Sequence, residues 1–114
     1  MGQHRRPTEM WVLEGVAPDG ADHWTFRLTK GAIKTVGRAP RADFVVDAPL
    51  VSRLHCRVTA AVDGTLLVED LGSTNGTFVN GERVANREIR HGDRIGVGRV
   101  ELVARLAGAA APLD

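Results

Sequence analysis

Apolar and polar residues alternate over short stretches of this chain. In His23–Leu28, Trp24, Phe26 and Leu28 share one face, and in Arg99–Leu106, Val100, Leu102, Ala104 and Leu106 do the same. Leu54, Cys56 and Val58 likewise share one face, which turns Cys56 inward, with His55, Arg57 and Thr59 on the other, and His55 reads as a packed, hydrogen-bonded structural residue. A period of two marks strands with one buried face. No window longer than about two turns carries a helical period.

Turn dipeptides punctuate these runs. Asp19-Gly20 separates Met10–Val16 from His23–Leu28, Asp63-Gly64 separates Leu54–Val62 from Thr65–Leu71, and Asn80-Gly81 separates Thr77–Val79 from Glu82–Val84. Such pairs favour tight hairpins because both central residues must tolerate positive φ. Gly92-Asp93 and Gly98-Arg99 add weaker turn signals. Many short strands at close spacing predict a β-sandwich or barrel. The ends differ: residues 1–9 are mostly polar and basic, and 107–114 are mostly Ala. Both are expected to be flexible tails around a folded unit over 10–106.

Composition narrows the function classes. At 114 residues the chain has room for one domain that needs no metal or disulfide to close its core. Lys+Arg is 15 against Asp+Glu 14, a net charge of +1 with the signs interspersed, so nucleic-acid binding has no electrostatic case. No stretch approaches the roughly 18 apolar residues of a membrane helix. The single cysteine, Cys56, excludes an internal disulfide and a cysteine cluster for zinc. The expectation is a cytoplasmic monomer with no cofactor, no metal and no membrane partner.

Candidate chemistry lies between the strands. Gly37-Arg38 follows Ile33–Val36, Ser52-Arg53-Leu54-His55 precedes Cys56, and Gly72-Ser73-Thr74-Asn75-Gly76 follows Val68–Leu71. Guanidiniums, hydroxyls, an amide and glycine-freed N–H groups suit a phosphate, which offers strong acceptors and about −1.5 to −2 charges. Each feature alone has a plainer reading: a strand end, a solvated charge, a loop hydroxyl, a turn dipeptide. Ser52, His55 and Cys56 also supply nucleophile-like groups, but no carboxylate is evident to orient the histidine, and Cys56 faces inward.

In this order, Gly37-Arg38, Ser52-Arg53-Leu54-His55, Asp70 through Gly81 and Gly92-Asp93 closely resemble the forkhead-associated (FHA) domain, over about Trp11 to Leu106. The resemblance implies an all-β sandwich of the SMAD/FHA type, about eleven mostly antiparallel strands with recognition loops at one end. It implies a phosphothreonine-dependent protein-binding module, not an enzyme, whose partner is a phosphothreonine-containing protein such as a Ser/Thr kinase or its substrate. By motif, Arg38 and Ser52 would contact the phosphate, Arg53 would add a contact to phosphate or peptide backbone, and Thr74 would close the pocket. Asn75 would bond the peptide main chain. Gly37, His55, Gly76, Asn80 and Gly81 would be structural support: His55 braces the loops, Gly37 permits a turn, and Asn80-Gly81 form a supporting hairpin. Leu50 belongs to a loop that in the family helps select residues after the phosphothreonine. The alternative is an FHA-like scaffold that binds without phosphate. Thr8, in Arg5-Arg6-Pro7-Thr8-Glu9, is a candidate phosphoacceptor that could dock in this pocket, though the plainer reading is an exposed tail residue.

Overall fold

Two β-sheets pack face to face in a computed structural model that describes residues 10–107. The strands run β1 (Met10–Val16), β2 (His23–Thr29), β3 (Ile33–Gly37), β4 (Phe44–Val45), β5 (Cys56–Ala60) and β6 (Leu66–Asp70), then β7 (Thr77–Val79), β8 (Glu82–Val84), β9 (Asn86–Ile89), β10 (Arg94–Val97) and β11 (Val100–Ala107). One sheet has six strands in the order β2-β1-β11-β10-β7-β8, and the other has five in the order β4-β3-β5-β6-β9. The pair β3–β4 is parallel, and the other ladders are antiparallel. This is the all-β sandwich expected. The expected tails, with Thr8, lie outside the described residues, except that β11 continues through Ala107, which pairs with Met10.

The alternating positions supply the core. Leu13 and Leu28 of the six-stranded sheet meet Val36, Val58 and Val68 of the other sheet, with Ile95 and Leu102, all at most 1% exposed. A buried aliphatic side chain of this size stabilises by about 1.5–3 kcal/mol relative to exposure. Two contacts bridge the sheets directly. Phe26 of β2 stacks on Phe44 of β4 with ring centroids 4.5 Å apart, and the Trp11 indole N–H donates to the Gly64 carbonyl at 3.0 Å.

Three details depart from the sequence pattern. The β5 alternation starts at Cys56, not Leu54: Leu54 is half-buried in the loop, and His55, expected as a structural brace, is fully buried beside Cys56. Its ring is drawn in by two hydrogen bonds described below. Second, Asp19-Gly20 and Asp63-Gly64 sit in loops spanning 17–22 and 61–65, not in two-residue turns. There each aspartate accepts an N–H from two residues on, Ala21 at 2.9 Å and Thr65 at 3.0 Å, the Asx turn that Asp forms readily. Only Asn80-Gly81 makes the tight turn with both residues at positive φ, 52° and 86°. Third, β4 is only two residues long, and β9 and β10 hold too few alternating apolar residues to have declared themselves.

Candidate functional site

Three loops converge at one end of the sandwich: 38–43 after β3, 46–55 between β4 and β5, and 71–76 between β6 and β7. They enclose an open cleft of about 570 Å³. Arg38, Ser52, Arg53, Thr74 and Asn75, five residues singled out from the sequence, all line it, with Leu50, Val51 and Leu54 among the apolar neighbours.

Backbone approach sets the first contact. Gly37 lies in β3 against Arg53 and Leu54, and a Cβ there would fall 2.0 Å from the Arg53 carbonyl oxygen. Its role is this close approach; its φ is not positive, so the expectation that it permits a turn is corrected. With the chains so close, Arg38 N–H donates to the Ser52 carbonyl at 2.9 Å and Ala39 N–H to the Arg53 carbonyl at 3.2 Å. The Arg38 Nε donates to the Val51 carbonyl at 3.0 Å, which leaves the terminal guanidinium nitrogens for the cleft.

His55 ties two loops together from beneath. Ser52 N–H donates to its Nδ1 at 3.0 Å, so the proton sits on Nε2, which donates to the Gly76 carbonyl at 2.8 Å. Both ring nitrogens are engaged with backbone, and neither meets the Ser52 hydroxyl. A Ser52–His55 nucleophile pair is therefore not formed. Cys56 is equally unsuited to attack: burial first, then the nearby Asp70 charge, push its thiol up to about 12.

The Ser52 Oγ accepts the Thr74 N–H at 3.0 Å, and its own hydrogen remains to donate. Asn75 Nδ2 donates to the Leu50 carbonyl at 3.1 Å, which leaves Oδ1 and the second Nδ2 hydrogen for a ligand. Leu50 holds φ at 71° and is 48% exposed, a conformation that leucine adopts at a cost of about 1–2 kcal/mol.

Asp70, missed as a functional support, organises the third loop. Its carboxylate accepts the Gly72 and Ser73 N–H groups at 3.0 and 3.2 Å and the hydroxyls of Ser73 and Thr77. Burial acts to raise its pKa, but these bonds outweigh it and hold the group below the ordinary carboxylate value. Ser73 Oγ in turn accepts the Gly76 N–H at 2.9 Å. Gly76 needs φ of 93°, and a Cβ there would sit 2.7 Å from the Arg83 Nε. Asp70 followed by Gly72-Ser73 is an Asx-turn signal that the sequence did display.

Arg41 is the other residue that sequence reasoning passed over; it lines the cleft beside Arg38 and Arg53. No Asp or Glu does. Asn80 and Gly81 lie elsewhere. The Asn80 amide bonds Asp93 Oδ1 at 3.0 Å and the Arg94 N–H at 2.9 Å, stapling the β7–β8 turn to the β9–β10 loop.

A family model described as the FHA domain matches residues 34–98. The chain belongs to the FHA family. The oxoglutarate dehydrogenase inhibitor of Corynebacterium efficiens is 42% identical over 77 residues, 68% of this chain and 53% of that protein. The FHA domain of the CT664 protein from Chlamydia trachomatis superposes with a TM-score of 0.77 at 26% identity, covering 84% of this chain and 96% of that one. An FHA domain solved in a structural and functional analysis of phosphothreonine-dependent interactions gives 0.72 at 31% identity, covering 93% and 99%. This FHA chain spans about half or less of the length of the curated relatives it matches.

Proposed function

We propose that this FHA domain binds phosphothreonine in a partner protein phosphorylated by a Ser/Thr kinase, and acts as a non-catalytic adaptor in cytoplasmic signalling. The observation that carries this reading is the cleft itself. Three loops bring Arg38, Ser52, Arg53, Thr74 and Asn75 together with no carboxylate in the lining. Arg38 and the Ser52 hydroxyl take the phosphate, Arg53 adds a contact to phosphate or peptide backbone, and Asn75 holds the peptide main chain. The bonds that hold these loops run between groups of the chain itself, which limits the ordering cost that falls on binding. Charge-assisted hydrogen bonds contribute about 1.5–3 kcal/mol each, enough for a few to separate phosphorylated from bare peptide by orders of magnitude.

The test is a titration against degenerate phosphothreonine, phosphoserine and unphosphorylated peptide pools, repeated with Arg38→Ala and Arg38→Lys. Only the phosphothreonine pool is expected to bind well. Arg38→Ala should lower affinity at least about tenfold, and Arg38→Lys should restore it only in part, because an ammonium lacks the planar fork. Equal binding to bare peptide would refute the reading.

One observation favours the phosphate-independent alternative. The six-stranded sheet holds a trench of about 970 Å³ lined by Val16, Phe78, Gly96 and Val103 together with Glu14, Thr25, Arg99 and Glu101. A partner retained in full by Arg38→Ala but lost on Phe78→Ala would move the function to that trench.

A further inference from the structure

Arg41 lines the cleft, yet the phosphate-binding set is complete without it. Its position is firmly built. Ala42 N–H closes on the Ala39 carbonyl at 3.0 Å, making Ala39–Ala42 a turn with Pro40 second and Arg41 third. Proline presets the φ that the second position takes. Past the turn, Ala42 is buried, and Asp43 is locked to Thr35. The Thr35 N–H and hydroxyl donate to Asp43 Oδ2 at 2.9 and 3.2 Å, and Asp43 N–H donates back to the Thr35 hydroxyl at 3.0 Å. Val46 N–H donates to the Gly37 carbonyl at 2.8 Å and fastens the far side of the loop. Arg41 is thus an exposed cation on a rigid mount.

Its charge is unmatched. Asp43, the nearest acid in sequence, is occupied by Thr35. Among the described residues Arg41 has no hydrogen-bond or ion-pair partner, whereas Arg57, Arg87, Arg94 and Arg105 each meet a glutamate within 4 Å. One phosphothreonine brings about −1.5 to −2 charges, which Arg38 and Arg53 already balance. With Arg41 the cleft holds about one positive charge more than a single phosphate neutralises. A ligand lacking a second anion would cover this guanidinium without pairing it; a ligand carrying one would gain a charge-assisted bond.

We propose that Arg41 reads a second anionic group, a carboxylate or a further phosphate, on a residue close to the phosphothreonine. The proposal rests on the phosphothreonine reading above and names the peptide class that the site prefers: phosphothreonine with an acidic or phosphorylated neighbour. Such a contact selects among phosphopeptides more than it raises affinity for all of them.

A peptide walk tests it. Starting from a neutral phosphothreonine peptide, one Glu is moved through about three positions on each side, with Gln controls, and a second phosphothreonine is moved in parallel. Binding to the full chain is read by fluorescence anisotropy for the wild type, Arg41→Gln and Arg38→Ala. At one or two positions Glu or phosphothreonine should bind the wild type at least about fivefold more tightly than Gln, a gain that falls below about twofold in Arg41→Gln. The neutral phosphothreonine peptide should lose clearly less affinity in Arg41→Gln than in Arg38→Ala. Gain from Glu identifies a carboxylate as sufficient; gain only from the second phosphothreonine identifies a doubly phosphorylated ligand. A flat walk overturns the proposal, as does a gain that survives in Arg41→Gln. So does a loss of the neutral peptide as severe as that in Arg38→Ala, which would place Arg41 on the first phosphate. A flat walk above sound phosphothreonine-dependent binding sinks only this inference, whereas no phosphopeptide binding at all sinks the phosphothreonine reading and this inference with it.

Discussion

At the scale of single residues, the site is held by side chains that a ligand need never touch. His55 is the clearest case. It is completely buried, and its two ring nitrogens join the Ser52 loop to the Gly76 loop. No other side chain offers one acceptor and one donor on opposite edges of a flat ring at that reach. His55→Ala leaves the Ser52 N–H and the Gly76 carbonyl without partners and opens a cavity. Each unmet buried group costs about 1–3 kcal/mol, so the total expected loss is about 3–5 kcal/mol. Urea unfolding measures it, and a loss below about 1 kcal/mol would show that the ring is not the brace. Phosphopeptide affinity should fall further than the unfolded fraction explains, because Ser52 loses the bond that fixes its backbone. Gly37 illustrates the same economy without a side chain. Its missing Cβ lets the Arg53 carbonyl approach, and this proximity sets Arg38 beside Ser52.

At the scale of elements, hairpins and pinned turns do the positioning. The Asn80-Gly81 turn closes β7 on β8, while the Asn80 side chain bonds Asp93 and Arg94 in the neighbouring loop. Asn80→Ala removes both bonds and places alanine at φ 52°. About 1 kcal/mol per bond and about 1 kcal/mol for the left-handed backbone give an expected loss of about 2–3 kcal/mol. Asn80→Gly should recover only the backbone part. Thermal melts separate the two variants, and peptide affinity should stay within about twofold of wild type, since the bonds run away from the cleft. An affinity loss matching that of His55→Ala would instead make the hairpin a direct support of the site.

Elements of this kind explain what was legible beforehand. Strands with three or more alternating apolar residues, such as Trp24-Phe26-Leu28 and Val100-Leu102-Ala104, declared their buried face. So did the Asn80-Gly81 turn. β9 and β10 did not, because Asn86–Ile89 buries only Ile89 and Arg94–Val97 interposes Gly96 between two apolar positions. Arg38, Ser52, Arg53, Thr74 and Asn75 could be gathered by their motif and do line one cleft. Arg41 could not, since an arginine three residues past Arg38 reads as a solvated charge until the Ala39–Ala42 turn is seen to aim it. The partners of His55 were equally hidden, because they are backbone groups, which no side-chain pattern encodes.

At the scale of the whole molecule, one design recurs: a carboxylate fastens each of several loops through backbone N–H groups. Asp43 binds the Thr35 N–H, Asp63 the Thr65 N–H, Asp70 those of Gly72 and Ser73, and Asp93 that of Arg90 at 2.8 Å. All four carboxyls sit below their ordinary pKa. For Asp43 and Asp63 the backbone bond is the main cause, aided by the threonine hydroxyl. For Asp70 and Asp93 burial pulls upward but the bonds prevail, from the Ser73 and Thr77 hydroxyls in one and from Arg90 and Asn80 in the other. A carboxyl whose folded pKa lies below its unfolded value near 3.9 stabilises fully above that value, and the stabilisation is lost as pH falls through the folded one. These four groups therefore contribute a constant amount at neutral pH and withdraw it together below about pH 4, where unfolding releases fewer protons than it binds. Stability measured by urea unfolding should fall steeply from about pH 4 to pH 2. Asp70→Asn should be less stable than wild type at pH 7 and should show a shallower acid slope, because one of the titrating fasteners is gone. Since the Asp70 loop carries Thr74 and Asn75 into the cleft, the same variant should lose phosphopeptide affinity at pH 7 while keeping its strand content by circular dichroism. An Asp70→Asn protein with wild-type acid slope and wild-type affinity would separate these carboxylates from both the loops and the acid response.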